Sequence, residues 1–158
     1  MKNILLVIVA ISMYSCAPTY LVSKSEFQQI PMGTKKIVVK TEMSSDSLFT
    51  LISKSFSREG WVVKSDKGSM QISAEPKSVG SGTALKPFVY IEDKTAYYSG
   101  EWGLDQKGQL MMQSMVRANT VAFEPIAFER SGITKNDVAF QGLVILAKTI
   151  PGELSYSK

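Results

Sequence analysis

The sequence predicts an α+β domain: an antiparallel sheet of four to six strands with two helices packed on one face, in the order β-α-β4-α. Three observations lead there. Apolar residues recur at helical spacing near 45–58 and again over 137–148. Between these two stretches lie two pairs of alternating segments, each pair folded about a two-residue turn. Nothing in the chain alternates strand with helix in the way a parallel sheet needs.

The first sixteen residues, MKNILLVIVAISMYSC, stand apart from that domain. Lys2 supplies a positive start, Ile4 to Ile11 form an eight-residue apolar run, and small or polar residues lead to Cys16, the single cysteine of the chain. This order is that of a secretory signal peptide, and the run is far short of the ~20 residues that span a bilayer. The stretch resembles a bacterial lipoprotein signal, although Met13 and Tyr14 stand where the commonest pattern has Leu and a small residue. The resemblance implies cleavage of residues 1–15, acylation of Cys16 and attachment to a lipid bilayer. Ala17, in place of Asp, resembles the pattern sorted to the outer membrane of the cell envelope.

Residues 16–34 mix Pro, Ser, Thr, Lys and Gln without a sustained period and read as a lipidated tether, flexible enough to hold the domain some tens of ångströms from the bilayer. The folded domain is expected over 35–152. Lys36 to Glu42, KIVVKTE, alternates around two β-branched residues and is a first strand. Ser44 or Ser45 then offers an N-cap, and Leu48, Leu51, Ile52 and Phe56 make the apolar stripe of the first helix. Gly60 stands where a helix stops.

A turn at Lys67-Gly68 would pair Ser65 with Met70, Val63 with Ile72 and Trp61 with Ala74, sorting apolar residues onto one face. Glu75 to Pro87, with two prolines and two glycines, reads as a mobile loop. Its Gly80-Ser81-Gly82 is not a phosphate loop, since neither a following Lys-Ser/Thr nor a helix start is in place. A second turn at Asp93-Lys94 puts Ile91 opposite Ala96 and Val89 opposite Tyr98 on one face, with Tyr90 opposite Tyr97 and Phe88 opposite Ser99 on the other. Phe88, Tyr90 and Tyr97 thus fall on the face that a one-sided sheet leaves to solvent. They form a candidate interaction surface, with coverage by residues 103–130 as the alternative.

From Gly103 to Asn119, Leu110, Met111 and Met115 fit a helical stripe that Gly108 interrupts, and a short strand fits as well. Met111, Met112 and Met115 offer soft thioethers of the kind that suit Cu(I), but without histidine beside them ordinary apolar packing is preferred. Thr120 to Glu129 is strand-like, with Pro125 restricting it to an edge or a bulge. Thr134 or Asn136 caps a second helix over 137–148, apolar nearly all round in its second half, and Pro151-Gly152 ends it. Residues 153–158 are expected to be loose.

The helix followed by Gly60-Trp61-Val62-Val63 and a tight turn at Asp66-Lys67-Gly68 resembles the TATA-binding-protein-like layout. That layout also occurs in small lipoproteins of the bacterial outer-membrane β-barrel assembly machinery. The resemblance spans about residues 36–102 and implies a fold, not an activity.

Composition narrows the chemistry. With 18 basic and 14 acidic residues the net charge is +4; loss of Lys2 with residues 1–15 leaves 17 against 14, or +3, scattered along the chain. That excess does not argue for nucleic acid. There is no histidine, and acylation leaves no free thiol, which excludes Ser-His-Asp and Cys-His nucleophiles, Cys/His zinc sites and a disulfide framework. Ser155 to Lys158 spells Ser-x-x-Lys at a terminus that cannot hold a nucleophile and base in register. Glu92, Asp93, Glu101, Asp105, Glu124 and Glu129 are not spaced to share a substrate, so no enzyme, cofactor or metal is expected.

The reading that results is a membrane-anchored envelope lipoprotein that binds another envelope protein as an accessory subunit. The alternative is a carrier of a lipid or other apolar ligand, held between sheet and C-terminal helix by Trp61, Met70, Tyr98, Trp102, Leu143 and Leu146.

Overall fold

The computed structural model describes residues 21–115, 122–131 and 134–158. In chain order these form α1 (Lys24–Gln29), β1 (Lys36–Lys40), α2 (Ser45–Arg58), β2 (Val63–Asp66), β3 (Gln71–Ala74), β4 (Lys77–Gly80), β5 (Thr83–Glu92), β6 (Thr95–Leu104), α3 (Gln106–Met115), β7 (Glu124–Pro125), α4 (Lys135–Lys148) and β8 (Glu153–Ser157). The α+β class holds, with eight strands where four to six were expected and four helices among the described residues where two were expected.

All strand pairs are antiparallel and make one sheet in the order β2-β3-β5-β6-β1-β8, with β4 beside β5 and β7 beside β6. The first and last strands lie side by side, Ile37 pairing with Tyr98 on one flank and Tyr156 on the other. Period-two alternation sends Ile37, Val39, Ile72, Leu85, Val89, Ile91 and Tyr98 to one face, where all are buried. Helix α2, capped by the Ser44 hydroxyl, covers β2, β3 and β5 with Leu48, Ile52 and Phe56. Helix α4, capped by Thr134, lies over β1, β4, β5 and β6. Its Phe140, Leu143 and Val144 are fully buried. Each such side chain removed from water contributes about 1.5–3 kcal/mol before the entropy of ordering it is subtracted.

Residues 21–34, expected to belong to a flexible tether, are instead part of the folded domain. Within 16–34, Ser23 caps α1, Phe27 and Ile30 enter the core, and the Phe27 ring meets Phe128 edge-on at 4.9 Å. The isolated apolar residues of this stretch carry no period because the helix they anchor is only six residues long. The chain is held here by a buried polar residue, Gln141, whose side-chain oxygen accepts the N–H of Leu21 at 2.7 Å and of Val22 at 3.3 Å. At the other end, 153–157 is not loose but is strand β8, paired along the whole of β1. The chain turns into β8 at Gly152, where a Cβ would stand 2.3 Å from the Lys40 carbonyl oxygen.

Three further expectations change. The first hairpin has Val63 opposite Ala74 and Ser65 opposite Ile72, a shift of two residues that gives it the four-residue loop 67–70. A shift of two preserves the sorting of faces, whereas a shift of one would invert it. Asp66 fixes the longer loop, accepting from the Gly68 N–H at 2.9 Å and the Ser69 hydroxyl at 2.8 Å. These bonds hold its carboxyl below the ordinary range, the Ser69 hydroxyl contributing most.

Residues 75–87 are not a loop but the hairpin β4–β5, turning through Gly80, Ser81 and Gly82, all at positive φ. Pro87 is tolerated inside β5 because the strand changes neighbour there: β4 pairs with it up to Leu85 and β3 from Phe88 onward. Residues 106–115 resolve the open choice in favour of a helix, whose first turn is capped by Asp105 accepting the Gly108 N–H at 2.8 Å. Of the strand expected at 120–129, residues 120–121 lie outside the described residues, and among 122–129 Glu124–Pro125 alone pairs with β6.

Candidate interaction face

Helices α2 and α4 cover one side of the sheet, and the expected hairpin about Asp93-Lys94 is observed residue for residue. Both turn residues lie at positive φ, 41° and 62°, the geometry that suits the twist of a two-residue hairpin. The opposite side of the sheet therefore carries Phe88, Tyr90 and Tyr97. The registers align Asp66, Gln71, Tyr90, Tyr97, Val38 and Ser155 as one row across six strands, with Lys64, Ser73, Phe88 and Ser99 as the next row.

Tyr90 and Tyr97 stack at 6.3 Å between centroids with 27° between ring planes. Phe88 is 38% exposed and Tyr90 37%, while Tyr97 is half-buried. Helix α3 and residues 122–130 thus leave the first two rings open to solvent.

Beside Phe88 the same face has a depression of about 350 Å³. It exists because the outer edge of β6 is shared: β1 covers Thr95–Tyr98 and β7 covers Glu101–Trp102, leaving Ser99 and Gly100 between them. Lys35 and Lys36 end one wall, Pro125 and Ile126 continue it, Phe88 stands opposite, and the small Ser99 and Gly100 make the floor. The gap is pinned by the Ile126 N–H on the Gly100 carbonyl at 3.0 Å and the Phe128 N–H on the Thr34 carbonyl at 2.8 Å. Lys86 at the rim pairs with Glu101 at 2.8 Å, whereas among the described residues Lys35 and Lys36 have no carboxylate within ion-pair distance.

The residues expected to line an apolar cavity are placed differently. Trp61, Tyr98, Leu143 and Leu146 are buried members of the core, and Met70 and Trp102 pack against its margin. Phe56 stands between the rings of Trp61 and Tyr98, at 6.3 and 6.5 Å. The Tyr98 hydroxyl is buried without a hydrogen-bond partner among the described residues, and desolvation drives its pKa well above the ordinary value.

The acidic residues do not converge. Glu101 holds Lys86, Asp105 accepts from Ser78 and the Gly108 N–H, and Glu129 accepts from Asn136 at 3.0 Å. Bonding to the Ser78 hydroxyl, then to the Gly108 N–H, holds the Asp105 carboxyl low. Among the described residues no three His, Cys, Asp or Glu side chains group as metal ligands. Cys16 and the side chains of Met111, Met112 and Met115 lie outside what the structure describes.

The chain matches no protein-family model, no curated protein and no solved structure. The depression and the Gln141 clamp had no counterpart in the sequence pattern. The depression depends on where β1 begins and β7 ends along β6, and the clamp on which distant segment arrives beside α4; no local spacing encodes either.

Proposed function

We infer that this protein is a non-enzymatic lipoprotein of the cell envelope, anchored in the outer membrane through acylated Cys16, whose sheet face opposite α2 and α4 docks another envelope protein as an accessory subunit. The observation that carries the docking part is the exposure of Phe88 and Tyr90, beside the Tyr90–Tyr97 stack, on a face that the described helices leave open. Exposed aromatics give large contact area with few rotamers to immobilise, and such residues supply much of the energy of many interfaces. The anchor rests on the order of residues 1–16. The carrier alternative gains no support from geometry, because its six residues belong to the core or pack on its margin.

A Phe88→Ala, Tyr90→Ala double variant tests the docking part. Both side chains point away from the core, so the variant should fold. It should lose at least ~2 kcal/mol of partner affinity, a loss of about thirtyfold, in co-purification from solubilised envelopes. Undiminished recovery of every co-purifying protein would remove this face as the site.

A further inference from the structure

We propose that the depression beside Phe88 receives an acidic, apolar peptide segment of the protein partner: a carboxylate next to an aromatic or aliphatic side chain. The proposal rests on the docking reading above and adds the chemistry of what docks. Three observations carry it. The depression opens onto the aromatic face, so one occupant can contact Phe88 and enter the gap between β1 and β7. Its volume, about 350 Å³, is at the small end of ligand-sized clefts and suits a short segment rather than a whole element of structure.

Its charge is one-sided. Among the residues that line it, Lys35, Lys36 and Lys86 face one carboxylate, Glu101, which Lys86 already engages, while Glu75, paired with Lys64, lies outside the lining but close enough to feel the Lys86 charge. Two ammonium groups beside the exposed Phe88 and Pro125 complement a segment with the same two characters. Charges at such a rim set partner choice and encounter rate more than they set total affinity, so the apolar contact supplies the hold and the lysines select the sign.

The test is a titration of the isotope-labelled protein, purified from its own membrane in mild detergent, with capped Asp-Phe, capped Lys-Phe and phosphatidylglycerol nanodiscs. Binding is read from the amide signals of Lys36, Phe88, Ser99 and Gly100. The expected result is saturable shifts at these four residues with Asp-Phe and none with Lys-Phe. The Lys35→Glu, Lys36→Glu variant, altered at two exposed positions, should bind Asp-Phe about tenfold more weakly.

Equal response to the two peptides, shifts centred elsewhere, or a response to nanodiscs in place of Asp-Phe would overturn the proposal. A photo-crosslinker at Tyr90 separates its failure from that of the docking reading. Capture of a partner there without an Asp-Phe response overturns the peptide chemistry alone, and no capture overturns both.

Discussion

The side-chain oxygen of Gln141 accepts the backbone N–H of Leu21 at 2.7 Å, across 120 residues of chain. The same oxygen takes the Val22 N–H, and the amide nitrogen donates to the Asp137 carbonyl at 3.3 Å. Gln141 is fully buried, so nothing else on its helix face compensates if these bonds go. Gln141→Leu keeps the volume and removes the acceptor, leaving two N–H groups without their partner. Denaturant unfolding should show a loss of about 2 kcal/mol, and amide exchange at Val22 should accelerate more than at Val144.

The same clamp limits how far an anchor reaches. Four residues separate Cys16 from Leu21, and five peptide steps extend at most ~18 Å in any conformation. Acylated protein should therefore hold α1 near the bilayer. A fluorophore on Gln28→Cys should be quenched by a lipid-borne quencher more strongly than one on Ser73→Cys. Cys16→Ser should move the protein out of the membrane fraction.

Tyr98 carries a different kind of strain. Its hydroxyl is buried with no described partner, so Tyr98→Phe removes a desolvated polar group without opening a cavity. Thermal unfolding should show unchanged or higher stability, by up to about 1–3 kcal/mol, against the usual direction for a core substitution.

Tyr156 links the β8 edge to pH. Desolvation, and after it the charge of Glu26, pushes its phenol from 10.0 up to about 12. The folded state prefers the neutral phenol, so this contribution is complete below pH 10 and is lost as pH rises from 10 to about 12. Over that window the wild type should lose stability faster than Tyr156→Phe. Parallel slopes for the two proteins would contradict this.

Elements that repeat a local period were legible from sequence alone. The 45–58 helix, the 137–148 helix, which begins two residues earlier at Lys135, and the register about Asp93-Lys94 follow from spacing and turn chemistry, while the choice of cap between Ser44 and Ser45 and between Thr134 and Asn136 falls to Ser44 and Thr134 only in the structure. Tertiary partners supplied the rest. The six-residue helix around Phe27 is held by the packing of Phe27 on Phe128 and the Lys148–Glu26 pair, and β8 lies along the edge that β1 offers. Pro87 argued for a loop, yet it sits in a strand at the point where the neighbour changes. The exposed aromatics were found because alternation alone places Phe88 and Tyr90. The depression was missed because it is made by the gap between two strands that are far apart in sequence.

Docking on this face is tested by site-specific photo-crosslinking in the native envelope, with the probe at Tyr90 on the sheet face opposite α2 and α4 or at Lys54 on the exposed side of α2. A discrete adduct with one other envelope protein is expected from Tyr90 and none from Lys54. Adducts from Lys54 alone, or the chain crosslinked only to itself, would contradict it.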